Sequence, residues 1–301
     1  MSGPLLVTAG RSGRLSDDVA GIATIARLCV REAARRRLLW ALAGLTMLLI
    51  VLTAWAFQRV LEASPLSPEV TTLAVSQLLI LVAFMFSFVL AMTAVFIGSP
   101  AIAGRVESGE VLAVLSRPIA RAQVVIGCWV GCGLVVVAYA LLAGLGEIAA
   151  VGVTTGYLPP QPFLGASYIA LEGLVLLTLA ILLSTRLGAI TGGAVAVVLF
   201  GINWVMGVIG QAGIILGSDA IRTAGTVSRM VMPTDIAWRG TIASLEPPAT
   251  LLSSLGRTGA IFAINPFYTS AAPPLDQLAY AAGWIVVVLA LAIAVFSRRE
   301  L

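Results

Sequence analysis

The sequence predicts an all-α membrane protein with six transmembrane helices, and three observations carry that reading. Of its 301 residues 59% are hydrophobic and only 11% charged, whereas soluble domains are about half apolar and a quarter charged. Mean hydropathy is +1.04. Six separate stretches are long and apolar enough to cross a bilayer, which takes about 20 such residues. Finally, all 18 basic residues are arginines and they cluster in alternate connections, the distribution expected of a multi-pass topology.

The first stretch covers residues 38–57 and the second 73–98. A third, 122–154, exceeds what a bilayer requires and is expected to tilt, break or project. The fourth is 166–183, the fifth runs from 187 past Asn203 to 217, and the sixth is 278–296. With 37 residues ahead of it and no small-residue cleavage pattern, the first stretch reads as a retained span rather than a signal peptide. The division is therefore an N-terminal segment, 1–37, and a six-span domain, 38–301. The connection 218–277 holds apolar residues at helical spacing, Pro247-Pro248, Asn265-Pro266 and Pro273-Pro274. It is expected to form short helices outside the bilayer core.

Orientation follows from the arginines. Thirteen, at 11, 14, 27, 31, 35, 36, 37, 105, 117, 121, 186, 298 and 299, fall on one side; five, at 59, 222, 229, 239 and 257, fall on the other. The positive-inside rule puts both termini in the cytoplasm and the 218–277 connection outside.

Ser16-Asp17-Asp18 resembles a helix start. Beyond it Arg27, Arg31 and Arg35 share one face while Ile22, Ile25, Ala26, Cys29 and Ala33 share the other. This is the pattern of an amphipathic helix in the headgroup region, the alternative being a charged stop for the first span.

Absences restrict the chemistry. Without lysine no P-loop can hold the β and γ phosphates of ATP, and without histidine there is no Ser-His dyad, HExxH zinc site or histidine-ligated haem. No catalytic residue is assigned. The net charge of +4 is read as orientation, not as nucleic-acid binding.

The connection between spans two and three reads SPAIAGRVESGEVLAVLSRPIAR, from Ser99 to Arg121. Helix stops are expected at Pro100 and Pro118. Between them Ile102, Val106, Val111, Leu112 and Leu115 make an apolar stripe beside Arg105, Glu107 and Glu110. Such a helix can lie on lipid or enter a groove on a partner. The run Glu107-x-Gly109-x-x-Leu112-x-x-Leu115-x-Arg117-Pro118-Ile119-x-Arg121 is similar to the signature of ABC-2 type transporter permeases. Glu110 stands where that family usually has threonine, and Gly127-Cys128 where Gly-Lys is common. The amphipathic helix, the six spans and the long connection before span six resemble the same family. So do Met232-Pro233-Thr234-Asp235-x-x-Trp238-Arg239 and Asn265-Pro266-Phe267.

The resemblance implies that residues 101–115 form a cytoplasmic coupling helix docking in an ATPase subunit, with Arg105, Glu107, Gly109, Val111, Leu112, Leu115, Arg117 and Arg121 as coupling residues. Two permease copies, or this chain and a related one, would share two ABC ATPase subunits. ATP and Mg would sit on those subunits, with no cofactor on this chain. The charge-poor spans favour a lipid, hydrophobic peptide or amphipathic drug as cargo. An extracytoplasmic partner, driven through the outer connection, is a variant within the class. An ATP-independent secondary transporter or membrane scaffold is the competing class, but paired mid-membrane charges in an inverted repeat are not visible.

Four further features are candidates. Glu147 and Glu172 are ionisable residues in apolar sequence, expected near the outer span ends within reach of water; they suit a translocation path or interfacial placement. Asn203 and Gln211 are read as interhelical hydrogen-bonding groups, Asn203 also as a path candidate. Cys128 and Cys132, one turn apart, could take a soft cation. With no third ligand nearby in sequence, no metal site is assigned, and with Gly127, Gly131 and Gly133 they suit a close-packing face. Met85 and Met92 read as packing residues.

Overall fold

The computed structural model describes residues 9–63, 68–109, 120–215, 218–247, 269 and 271–299. These form helices α1 (Ala9–Arg35), α2 (Arg37–Ala63), α3 (Pro68–Glu107), α4 (Arg121–Thr155), α5 (Pro162–Ser184), α6 (Ala189–Ile215), α7 (Asp219–Val231), α8 (Thr234–Leu245) and α9 (Leu275–Ser297). Among the described residues, α2, α3, α4, α5, α6 and α9 are long and apolar enough to span a membrane.

Several helix ends depart from the expected punctuation. α1 already begins at Ala9, so Ser16 lies inside it rather than capping it. It ends at Arg35, and Arg36 separates it from α2. α3 does not stop at Pro100 but runs 40 residues, about 60 Å at 1.5 Å per residue, to Glu107. A proline removes one backbone hydrogen bond, a loss tolerated inside membrane helices when neighbours hold the turn. Here Ile97, Ala101 and Ile102 are buried on both sides of the ring. What ends α3 is Gly109, whose φ of 75° few other residues adopt readily. α4 is one unbroken helix of 35 residues, about 52 Å. It stops at Gly156, also left-handed at φ 74°, whose N–H reaches Gly152 O at 2.9 Å.

The bundle is built around α5, which touches α3, α4, α6, α8 and α9. Two-thirds of its most apolar window is buried (67%), against 11% for α2, so α5 is core and α2 an outer wall. Small residues permit this density. A Cβ on Gly173 of α5 would lie 2.7 Å from Val136 of α4 and 3.0 Å from Leu90 of α3. At the α6–α7 crossing Gly210 and Gly225 meet, a Cβ on Gly210 lying 2.7 Å from Gly225 Cα. An aromatic cluster joins α3, α6 and α8: Phe84 stacks on Trp204 at 4.9 Å and meets Trp238 edge-on at 5.7 Å.

The connection 218–277 contains the short helices α7 and α8, of 13 and 12 residues. They are bonded to the spans: Trp284 of α9 donates to Val231 O at 2.9 Å, and Tyr280 donates to Met230 O.

Candidate functional site

One end of the bundle gathers the chain's arginine-rich connections, and its helix termini are tied by side chains. Glu107 Oε1, at the end of α3, accepts the backbone N–H of Ala189, the first residue of α6, at 3.2 Å. A carboxylate is favoured there because the first N–H groups of a helix are unpaired and carry partial positive charge. Arg121, opening α4, donates to the carbonyls of Phe296 (3.2 Å), Ser297 (3.0 Å) and Arg299 (2.6 Å) at the end of α9. Arg299 Nη1 in turn donates to Thr185 O, at the end of α5, at 2.7 Å. These are the complementary arrangements, cations on exposed carbonyls.

The predicted coupling residues therefore divide. Glu107 Oε1 takes its donor within this chain. Arg121 closes an internal helix end. Arg105, 13% exposed, turns inward: Nη1 donates to Cys128 Sγ at 2.8 Å, and Nη2 to Cys29 Sγ and Glu32 Oε2, each at 3.2 Å. Gly109 is the turn that frees the chain from α3. Val111, Leu112, Leu115 and Arg117 lie outside the described residues.

α1 packs its apolar face on protein. Ile25, Ala26, Cys29 and Ala33 are buried while Arg27, Arg31 and Arg35 are exposed. The receiving surface is the glycine face of α4: a Cβ on Gly127 would lie 2.7 Å from Ile25 Cβ, and one on Gly131 would lie 2.8 Å from Cys29 Cβ. The small-residue face around the cysteines is thus where α1 sits.

Glu147 and Glu172 are buried in this chain rather than at exposed span ends; they are 2% and 3% exposed. Glu172 stands midway along α5, where Ser87 of α3 donates to Oε1 at 2.8 Å and Oε2 has no partner. Both oxygens of Glu147 on α4 are buried without partners, beside a cavity of ≈ 10 Å³ lined by Leu79, Phe86, Gly165 and Leu245. Asn203 is fully engaged as an interhelical group: its amide N–H donates to Thr234 Oγ1 and Ser228 donates to its carbonyl, both at 2.7 Å. It holds α7 and α8 onto α6. Gln211 has no described side chain.

Two groupings escaped sequence reading. Asp235 Oδ2 lies 2.6 Å from Arg229 Nε and 2.9 Å from Arg239 Nε. The Arg239 pair, four residues apart on α8, was a findable helical signal; the Arg229 contact was not. The second grouping is Cys29 joining Cys128 and Cys132, separated in sequence by about a hundred residues. Besides these, an apolar crevice of ≈ 290 Å³ lies between α5, α6, α7 and α9, lined by Leu179, Leu199, Met206, Val227 and Trp284, with Asn203 and Ser228 at its polar edge.

A family model described as ABC-2 family transporter protein matches residues 23–301. The chain belongs to the ABC-2 transporter family. A search of individually curated proteins returned no match. As an ABC-2 membrane protein it is a transporter component, and the family association with ABC ATPases accounts for a chain that has no lysine for a P-loop of its own.

Proposed function

We propose that this ABC-2 protein is the permease subunit of an ATP-driven exporter, working with a second permease copy or a related chain and with two cytoplasmic ABC ATPase subunits. The observation that carries the reading is the family match across 23–301 in a chain that has no lysine for a P-loop. The arginine-rich end faces the cytoplasm in an inner membrane, and α7 and α8 face outward.

In this reading the segment 101–115 meets the ATPase, with Val111, Leu112 and Leu115 as apolar anchors. Closure of the ATPase pair pushes the end of α3. Glu107 passes that displacement to the start of α6, and Arg105 passes it to α1 and α4. Motion then reaches α7 and α8 through Asn203. The cargo is hydrophobic or amphipathic, consistent with the apolar crevice beside α6 and with spans poor in charge. Glu147 and Glu172 are the ionisable candidates along the path. Because α7 and α8 are bonded to α6 and α9, the same movement can act on an extracytoplasmic partner.

The test is co-purification of a tagged copy with its ATPase, followed by ATP-dependent efflux from proteoliposomes. Wild type should carry the ATPase with it, and Leu112→Asp/Leu115→Asp should lose the ATPase while remaining folded in the membrane. Normal ATPase binding and transport by the double variant would overturn the coupling assignment.

A further inference from the structure

The apolar crevice and the ion cluster on Asp235 meet at one junction of α6, α7 and α8. Ser228 lines the crevice, and Arg229, the next residue of α7, pairs with Asp235. On α6 Met206 lines the crevice, and a Cβ on Gly207, the next residue, would lie 2.9 Å from Asp235 Oδ1. Asn203, at the polar edge, bonds to Ser228 and also to Thr234, the residue before Asp235. An apolar space thus ends, one residue along each of two helices, at a group of charges.

That group is not balanced. Arg229 Nε and Arg239 Nε both approach Asp235 Oδ2, at 2.6 Å and 2.9 Å, and among the described residues no other carboxylate pairs with either arginine. One positive charge is left over, and Nη2 of Arg239 has no hydrogen-bond partner. Both side chains stay partly exposed, and guanidinium N–H groups of this kind favour a phosphate. The crevice, at ≈ 290 Å³, lies at the small end of ligand sites, which run about 300–1,000 Å³, so it takes one hydrocarbon chain rather than a whole amphiphile. Its lining residues Leu199, Ile202, Val227 and Val231 are exposed. In a membrane bundle such a mouth opens onto hydrocarbon. A helix like α7, with Val227, Met230 and Val231 exposed beside charged Arg229, suits the headgroup boundary.

We propose that this junction binds an anionic glycerophospholipid of the surrounding leaflet, with one acyl chain in the crevice and the phosphate on Arg229 and Arg239. The phosphodiester brings one negative charge against the one positive charge that Asp235 leaves over. A zwitterionic lipid offers the same phosphate together with an ammonium of its own, and that cation opposes the two arginines. Phosphatidylglycerol is therefore favoured over phosphatidylcholine carrying the same chains. Seated in this way, the lipid has its tail against Trp284 of α9 and Met206 of α6 and its head on α7 and α8. The binding requires only that the chain spans a bilayer, and it is separate from the export reading.

The experiment places the purified full chain in phosphatidylcholine nanodiscs with a trace of either phosphatidylglycerol or phosphatidylcholine bearing a diazirine on one acyl chain. After irradiation the labelled peptides are mapped by mass. Exposed Met47 and Val51 of α2 face bulk lipid and should take both probes equally. The crevice residues Met206, Val227 and Trp284 should take the phosphatidylglycerol probe about fivefold more, the effect of one uncompensated arginine near a membrane surface. Arg239→Gln leaves Arg229 and Asp235 as a balanced pair and should abolish that preference while α2 labelling stays the same. Val227→Trp, which fills the crevice from an exposed position, should remove crevice labelling by both probes. The wild-type comparison needs no variant to fold. Equal labelling of the crevice by the two probes, or a preference that persists in Arg239→Gln, would overturn the proposal.

Discussion

Glu107 reaches from the last turn of α3 to the backbone N–H of Ala189, at 3.2 Å, and so joins the end of one long helix to the start of another 82 positions on. A residue of the proposed coupling segment is thereby part of the permease's own architecture. Glu107→Ala should lower stability by about 1 kcal/mol, the scale of a lost helix-terminus partner. Glu107→Gln, which keeps an acceptor but not the charge, should fall between. Thermal unfolding in detergent reads both, and equal midpoints for all three proteins would show that the bond adds nothing.

The seat of α1 on α4 depends on hydrogen at position 131. Gly131→Ala puts a Cβ 2.8 Å from Cys29 Cβ and against Ala26 O, so α1 must shift. Overpacking of this kind costs about 1–3 kcal/mol. Gly44→Ala in α2 meets nothing within 4 Å and should be neutral or slightly stabilising, because alanine is the better helix former. A reversed order of the two midpoints would contradict the packing described.

Asp235 pairs with two arginines at once, on α7 and on α8. Asp235→Asn leaves Arg229 and Arg239, 28% and 19% exposed, facing each other without a counter-charge. A loss of about 2 kcal/mol is expected, below the range for fully buried pairs because water reaches both cations. Denaturant titration should show it. A change under about 0.5 kcal/mol would place the triad among weak surface pairs.

Glu246 follows α8, buried, its Oε1 accepting the N–H of Thr269 at 3.2 Å. Burial pushes its carboxyl up from 4.5 to about 8. Between those values the folded chain holds a proton that the unfolded chain has lost, so this group's contribution is complete below pH 4.5 and declines as pH rises to about 8. Glu246→Gln should flatten the pH dependence of the thermal midpoint across that interval. An unchanged slope would show that Glu246 is ionised in the fold.

Topology has a direct check. Thr223→Cys, on exposed α7, should react with an impermeant maleimide applied to intact cells, whereas Ser108→Cys should react only after permeabilisation. The native cysteines are buried and give little background. The opposite pattern would invert the orientation.

The sequence alone determined the all-α class and the six spans, because a bilayer imposes length and apolarity locally, residue by residue. It also excluded a P-loop of the usual form, since no lysine is present to hold the phosphates. The glycines around Cys128 and Cys132 were legible as a close-packing face from their spacing. Only the tertiary structure decided what that face receives, namely α1, and with it the meeting of Cys29, Cys128, Cys132 and Arg105. The same holds for Pro100, read as a stop and found within α3. A proline's local penalty is of known size, but whether a helix passes through it depends on what its flanking turns bury, here Ile97, Ala101 and Ile102. Glu172 was placed near water by its sequence neighbours and lies instead against Ser87. Partner identity is set by where distant helices cross, and a periodicity confined to one helix carries no information about which neighbour arrives on its face.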